Sequence, residues 1–390
     1  MSSGPTIPIP MPATECDTPL ADLIREKILR EGLLSFRDFM ELCLYHPTLG
    51  YYCSPDNKIG KGGDFYTSPC FSSLFGEMLA RQMEQMWLLL GKGAFTIVEY
   101  GAGTGLLCRD ILRALQGNKE LYRDLQYRII EKSPSMREQE KRLLPEKVTW
   151  HESIGEIGPF SGCILSNELI DNFAVHRVVM KEDLMEVFVG YEEGFTERLQ
   201  PAGCELKDHL SASGLNLPRG YHLPYGHHME INLQARDWIR EISSALNRGF
   251  VLTIDYGYSI AALTDGRRSS GTLACYYRQQ RNFSFYARIG RQDMTAHIDF
   301  SALRRWGLEN GLACCGITGQ ANFLRAMGLA DHVKGLETTA TRGLSDGNGQ
   351  ATLLVNILLR DMGNKFKVLI QQKGLNGPRL SGLMFPEYLP

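Results

Sequence analysis

The sequence predicts an α/β protein built on a Rossmann-like, doubly wound sheet, with an N-terminal helical module and inserted α+β segments. Three observations lead there. Beyond Gly91, short apolar strand-like runs alternate with helix-period stretches, the pattern of parallel strands covered by helices. The first of those runs passes directly into Gly101-Ala102-Gly103-Thr104-Gly105, and helical spacing begins at the next residue. With 390 residues, 43% hydrophobic and 22% charged, the chain also has the composition of a globular protein able to bury a large core.

Residues 1–18 carry Pro5, Pro8, Pro10 and Pro12 with little that could pack, and read as a mobile tail. From Leu20 to Leu34, Leu20, Leu23, Ile24, Ile28 and Leu29 recur at helical spacing. Ser35 offers an N-cap to a second helix ending near Leu44. A Gly-, Ser- and Pro-rich stretch from Lys58 to Pro69 reads as a loop free to close over a ligand, and helical spacing resumes over 72–90 with Leu74, Phe75, Met78, Leu79, Met83 and Met86 on one stripe. Residues 19–90 are thus expected to form the helical module and its lid loop.

The core is expected over 91–177 and 233–375. Its strands are read at Thr96–Tyr100, Gln126–Glu131, Lys147–Glu152, Gly162–Glu168, Phe250–Asp255 and Phe366–Ile370. Between them lie helices over 106–115, 135–144, 231–246, 299–310 and 351–361, the second announced by Ser133 as N-cap and Pro134 at the first helical position. Residues 178–232 break the alternation with short strand-like runs such as Glu186–Tyr191 and read as an insertion; 376–390 read as a C-terminal tail.

Composition excludes several functions. Forty-two Lys and Arg against 44 Asp and Glu leave a net charge of -2, no field to hold a polyanion, so no nucleic acid is expected as partner. The 10 cysteines contain no C-x-x-C pair and read as reduced. Adjacent histidines point apart, so His227-His228-Met229-Glu230 beside His222 reads as a solvated loop, and no metal site is expected. No apolar run reaches the ~18 residues of a membrane span, and neither a secretory nor a mitochondrial presequence is legible before Arg25, so a cytoplasmic location is expected.

A glycine turn between a buried strand and a helix removes side chains where a ligand must touch backbone, and the helix start supplies oriented N–H donors. A dinucleotide fingerprint would need glycine where Leu106 stands, and no Gly-Lys-Ser/Thr follows to make a phosphate loop. The spacing acidic-x-G-x-G-x-G, here Glu99 to Gly105, instead suits S-adenosyl-L-methionine, whose sulfonium and zwitterionic tail favour a carboxylate over a lysine. Glu131 closes the second strand where an acidic side chain would accept both ribose hydroxyls. Its distance from the turn exceeds the usual ~20 residues, and residues 117–125 absorb the difference.

With these residues, the chain resembles the MidA-like family of methyltransferases over most of 20–375. The likeness is carried by His46-Pro47-Thr48-Leu49-Gly50-Tyr51-Tyr52, Gly63-Asp64-Phe65-Tyr66-Thr67-Ser68-Pro69, Phe75-Gly76-Glu77 and the glycine turn. It continues in Ser166-Asn167-Glu168-Leu169-Ile170-Asp171-Asn172, Ile254-Asp255-Tyr256-Gly257 and His297-Ile298-Asp299-Phe300. The family pattern has an acidic residue after Thr-Ser-Pro and a proline inside the turn, where this chain has Cys70 and Ala102. The resemblance implies a class I SAM-dependent methyltransferase fold, S-adenosyl-L-methionine as cofactor, and a protein substrate of the respiratory complex I subunit type, modified on arginine.

Methyl transfer is an in-line displacement, so positioning carries most of the catalysis. Carboxylates would clamp a guanidinium, and Glu168 and Asp171 are the candidates, with Asp255 and Tyr256 at the exit of their strand on the ligand-bearing edge. Asn167 would bond the adenine or the substrate. Asp64, Thr67 and Ser68 would close over the methionine end of the cofactor, Asp64 pairing with its ammonium. Asn167 and Asp171 could instead cap a helix, Asp64 could organise a turn, Asp255 and Tyr256 could simply satisfy loop N–H groups, and His297 could serve as a base or anchor the helix beginning near Asp299. Two other functions fit the residues: a cofactor-binding scaffold that assembles a protein partner through the Arg- and Tyr-rich stretch 267–291, and a small-molecule O- or N-methyltransferase. An oligomer is compatible with either.

Overall fold

The structure is a computed structural model and describes residues 18–54, 58, 63–64, 69, 72–213, 223–329, 357–361 and 363–387. The chain divides into two compact units. One joins Met1–Phe65 with Asp171–Asp237 and Tyr258–Ala302; the other joins Tyr66–Ile170, Trp238–Gly257 and Leu303–Pro390.

The second unit holds the expected α/β sheet. Its strands are β1 (Phe95–Tyr100), β2 (Leu125–Ile130), β3 (Val148–His151), β4 (Phe160–Asn167), β5 (Leu246–Tyr258), β6 (Ala313–Gly319) and β7 (Phe366–Lys373), in the order β6-β7-β5-β4-β1-β2-β3. The strands from β5 to β3 pair in parallel. The chain therefore starts in the middle, winds outward to β3, and crosses back to β4, which places the topological switch between β1 and β4. This is the doubly wound α/β architecture that the sequence predicts.

All six residues of β1 are buried, as a parallel strand covered on both faces requires. The helix Leu106–Leu115 buries Leu107, Ile111, Leu112 and Leu115, and Leu74–Leu89 buries the methionine stripe. These two helices pack closely because Gly76 has no side chain: a Cβ there would lie 2.7 Å from Asp110 Cβ. Ser133 Oγ accepts from Met136 N at 3.4 Å with Pro134 next to it, so the cap read from sequence is made.

Gly162 of β4 sits in register with Thr96 of β1 and Gly249 of β5. A Cβ on Gly162 would stand 1.9 Å from Thr96 O, and one on Gly249 2.0 Å from Gly162 O, so only glycine fits this row.

Four findings differ from the sequence reading. β7 runs antiparallel to both β5 and β6, and β6 was not anticipated, because Ala313–Gly319 is only half buried and glycine-rich. Of the helix expected over 351–361, only Ile357–Asp361 lies within the described residues, as a π-helical turn. Residues 376–387 are tied down: Gly382 N donates to Gln82 Oε1, Thr318 Oγ1 to Phe385 O, and Glu387 N to Ile317 O. The segment expected as an insertion shares the first unit with the N-terminal helices and with Tyr258–Ala302, whereas Leu74–Leu89 belongs to the sheet unit.

The reason is a common apolar core. In the first unit, the helices Pro19–Glu31 and Phe36–Tyr45 pack with antiparallel strands including His176–Met180, Leu184–Tyr191 and Phe195–Pro201. The rings of Phe36, Phe39, Phe195 and Tyr286 meet at 5.2–6.4 Å between centroids. Aromatic pairs in such arrangements add about 0.5–1.5 kcal/mol beyond area burial. Ser35 Oγ caps the second helix, accepting from Asp38 N at 3.1 Å. Inside this core Arg177 lies over the Phe36 and Phe285 rings and donates to Glu197 at 2.5 Å. A buried guanidinium so fully partnered is structural.

Among the described residues no His, Cys, Asp and Glu cluster could hold a metal, and no helix is long and apolar enough to cross a membrane. The described cysteines are free; Cys43, Cys108, Cys163 and Cys275 are buried, and burial pushes their thiols up.

Candidate active site

The backbone of the glycine turn demands its residues. Gly101, Gly103 and Gly105 have φ of +62°, +57° and +75°. An L-residue in that left-handed region costs roughly 1–2 kcal/mol each. The turn is closed by Gly105 N to Ala102 O at 2.9 Å and tied to the end of β2 by Gly101 N to Ile130 O at 2.9 Å. Space is also short, since a Cβ on Gly101 would lie 3.2 Å from Leu169 Cδ1 and one on Gly105 3.3 Å from Leu144 Cδ1. Gly105 starts the helix Leu106–Leu115 without a side-chain cap, so its first-turn N–H groups remain available to a ligand.

Carboxyl groups gather around this turn. Glu99, near the end of β1, is 2% exposed and accepts the Tyr127 hydroxyl at 2.6 Å; burial pushes its pKa up to about 7, against the pull of that hydrogen bond. Glu131, one residue past β2, accepts Ser133 N at 2.7 Å and is raised by burial, partly offset by the Ser133 N–H and by Arg137. Sequence reading missed a third, Glu140. It is fully buried and takes the Trp150 indole N–H on Oε2 at 2.7 Å. Burial, then the neighbouring Glu131, pushes it up to about 8. A charged-looking helix hid it, and only its i+9 spacing from Glu131 on a helix facing the sheet could have singled it out.

At the carboxyl ends of β4 and β5 lie the other candidates of this unit. Asn167 is the last residue of β4, in register with Ile254, and its amide donates to Glu168 at 3.3 Å. Glu168 follows with φ +53°, a left-handed conformation for a non-glycine residue, held by its N–H to Ile254 O at 2.9 Å. Such strain persists only where surrounding structure enforces it, and it concentrates at functional sites. Asp255 is 1% exposed; Oδ2 accepts Ile170 N at 3.0 Å and Oδ1 accepts Tyr256 N at 2.9 Å, so it shapes the segment after β4. The Tyr256 ring packs edge-on against Phe366, 5.5 Å between centroids. Glu99, Gly101, Gly103, Gly105, Glu131, Asn167, Glu168, Asp255 and Tyr256 thus share the carboxyl edge of one sheet.

Asp64 and Asp171 belong to the first unit. Asp64 accepts the Tyr51 hydroxyl at 2.8 Å and Arg278 N at 2.5 Å, while its carbonyl takes Gln279 N at 3.0 Å. It organises a turn in which Arg278 and Gln279 both adopt positive φ. Asp171 is 3% exposed and its carbonyl accepts Ala296 N. Its charge, with burial, pushes Asp293 up to about 7, and the Tyr52 hydroxyl bonds Asp293 at 2.8 Å. Thr67 and Ser68 lie outside the described residues. Asp299 caps its helix, accepting Ser301 N and Ala302 N, and burial lowers His297 to about 4.

These residues fit S-adenosyl-L-methionine. The turn is a side-chain-free cradle, and beside it and along the strand ends Tyr100 Oη, Ser166 Oγ, Asn167 Oδ1 and Glu140 Oε1 are buried with no hydrogen-bond partner among the described residues. Leaving one such group unpaired costs about 1–3 kcal/mol, which a polar ligand placed against it would recover.

Comparison with known proteins identifies the family. Residues 78–318 match Methyltransf_28, a family of S-adenosyl-L-methionine-dependent methyltransferases. The mitochondrial protein arginine methyltransferase NDUFAF7 of Bos taurus is 27% identical over 354 residues, covering 81% of this chain and 75% of the relative. Its Homo sapiens counterpart is 28% identical over 356 residues, covering 83% and 76%. A COG1565 superfamily member from Burkholderia thailandensis, crystallised with S-adenosyl-homocysteine, superposes with a TM-score of 0.85 at 28% identity, covering 98% of this chain and 99% of that one.

Proposed function

The chain belongs to the S-adenosyl-L-methionine-dependent methyltransferases, and from that premise we propose that it methylates an arginine side chain of a protein, a respiratory complex I-type subunit being the substrate class the family resemblance suggests. Its cofactor is S-adenosyl-L-methionine, which supplies a methyl group on a cationic sulfur. In this reading the glycine turn takes the body of the cofactor against backbone, Glu131 accepts the ribose hydroxyls, Glu99 faces the positive tail, and Asn167 bonds the adenine edge or the substrate.

Glu168 carries the substrate side. A carboxylate forced into a left-handed conformation at the carboxyl end of β4 is aimed rather than free, and a guanidinium needs such a planar acceptor to present one nitrogen to the methyl carbon. Asp255 and Tyr256 hold the strand exit.

The deciding experiment is transfer of a labelled methyl group from S-adenosyl-L-methionine to whole-cell lysate, followed by amino-acid analysis of the labelled fraction. Methylarginine in a single protein band is the expected result. Label confined to small molecules selects the small-molecule reading, and tight cofactor binding with no label selects the scaffold.

A further inference from the structure

Glu140 is the polar side chain at the cofactor turn for which the family reading gives no role. It lies on the helix Pro134–Leu143, fully buried, and its Cγ stands 3.6 Å from where a Cβ on Gly105 would be. One carboxyl oxygen is spoken for: Oε2 accepts the Trp150 indole N–H at 2.7 Å. The other, Oε1, is buried with no hydrogen-bond partner among the described residues.

We propose that Glu140 is a positioning residue of the cofactor site that acts in its neutral form, Oε2 receiving the Trp150 N–H and a protonated Oε1 donating into the ligand-loaded glycine turn. An acceptor is what the geometry leaves open. With Trp150 already donating to Oε2, a neutral carboxyl keeps one hydrogen to give, whereas a carboxylate would add a second buried charge beside Glu131 and Glu99.

The groups facing it support the neutral form. Glu131 and Glu99 are carboxyls that repel its charge. Arg137 is the one cation that acts on it, and it is engaged elsewhere, donating to Glu131 O at 2.6 Å and lying 3.7 Å from Glu152. Burial is the largest cause and pushes its ionisation up to about 8.

The inference rests on the cofactor reading of the turn and is separable from it. Binding of S-adenosyl-homocysteine to the full chain is measured by calorimetry from pH 6.5 to 9.5 for the wild type, Glu140→Gln and Glu140→Leu. The amino group of the ligand titrates identically in all three, so differences belong to Glu140. Wild-type affinity is expected to fall by about tenfold more across pH 8 than that of Glu140→Gln, which keeps a donor at every pH. At pH 7 the Gln variant should bind within about threefold of wild type and the Leu variant at least tenfold more weakly. Parallel profiles for wild type and Gln, or full affinity in the Leu variant, would overturn the proposal while leaving cofactor binding intact. Failure of the wild type to bind at any pH would refute the cofactor reading itself. A thermal melt of each variant reports folding independently.

Discussion

The Tyr127 hydroxyl, rising from β2, donates a 2.6 Å hydrogen bond to Glu99 Oε2 on the neighbouring strand β1, where both side chains are buried. That bond favours the ionised carboxylate, while burial disfavours it and wins, leaving Glu99 near 7. In the proposed reading Glu99 faces the cofactor's positive tail, which favours the ionised form. Affinity for S-adenosyl-L-methionine is therefore expected to rise with pH through about 7, and Tyr127→Phe should move the midpoint upward. Calorimetry from pH 6 to 8 checks this; an unmoved midpoint would show that the phenol does not tune Glu99.

The same group links stability to pH. A carboxyl whose folded pKa is raised binds more protons in the folded state between its ordinary value of 4.5 and about 7, so stability falls as pH rises through that window and stays lower above it. Glu99→Gln should stabilise the ligand-free protein at pH 8 by on the order of 2 kcal/mol while weakening cofactor binding. Denaturant melts at pH 5 and pH 8 would read the difference, which should be small at the lower pH.

Substitutions in the turn separate backbone strain from loss of cradle. Gly101→Ala and Gly105→Ala each place a Cβ at positive φ within 3.4 Å of a leucine carbon. Each is expected to lose about 1–2 kcal/mol of stability and at least tenfold in S-adenosyl-homocysteine affinity. A melt and a titration on each variant suffice, and unchanged affinity in both would argue that the ligand does not lie on this backbone.

Glu168 offers the opposite trade. Glycine adopts φ near +53° freely, so Glu168→Gly should stabilise the protein by up to about 1 kcal/mol, yet abolish most methyl transfer. Glu168→Gln keeps the strain and loses the charge. If both variants retain wild-type turnover in the labelled-methyl assay, the carboxylate has no part in the reaction.

In the other unit, Tyr52 bonds Asp293, which burial and Asp171 raise to about 7. A hydrogen bond to a carboxylate is stronger than one to the neutral acid. Tyr52→Phe should therefore destabilise more at pH 8 than at pH 5, by roughly 1 kcal/mol, with chemical denaturation as the readout.

Local signals were legible in the sequence and non-local ones were not. Glu99, Gly101, Gly103, Gly105 and Glu131 could be read because strand, turn and helix are contiguous and the glycines are required by φ. The helix Leu106–Leu115 announced both its ends. By contrast, β6 and the antiparallel course of β7 depend on pairing between segments far apart in the chain, and half-buried Ala313–Gly319 carries no alternating pattern. Asp64 could be seen as a turn-former or a ligand group, and its partners Tyr51 and Arg278 could not be seen at all, since residue 278 is remote in sequence. Glu140 escaped for the same reason: its environment is made by Trp150 and Gly105, neither adjacent to it.

The row Thr96, Gly162 and Gly249 at the opposite end of β1, β4 and β5 acts as a gauge for the whole site. A side chain at either glycine would drive a β-carbon into a neighbouring carbonyl, which favours this one pairing of the three strands. That pairing fixes how far each strand projects at its other end, and hence the relative heights at which Glu99, Asn167 and Asp255 emerge. Accuracy in the placement of the polar groups is thus decided by residues that have no side chain and lie a full strand length away from any ligand.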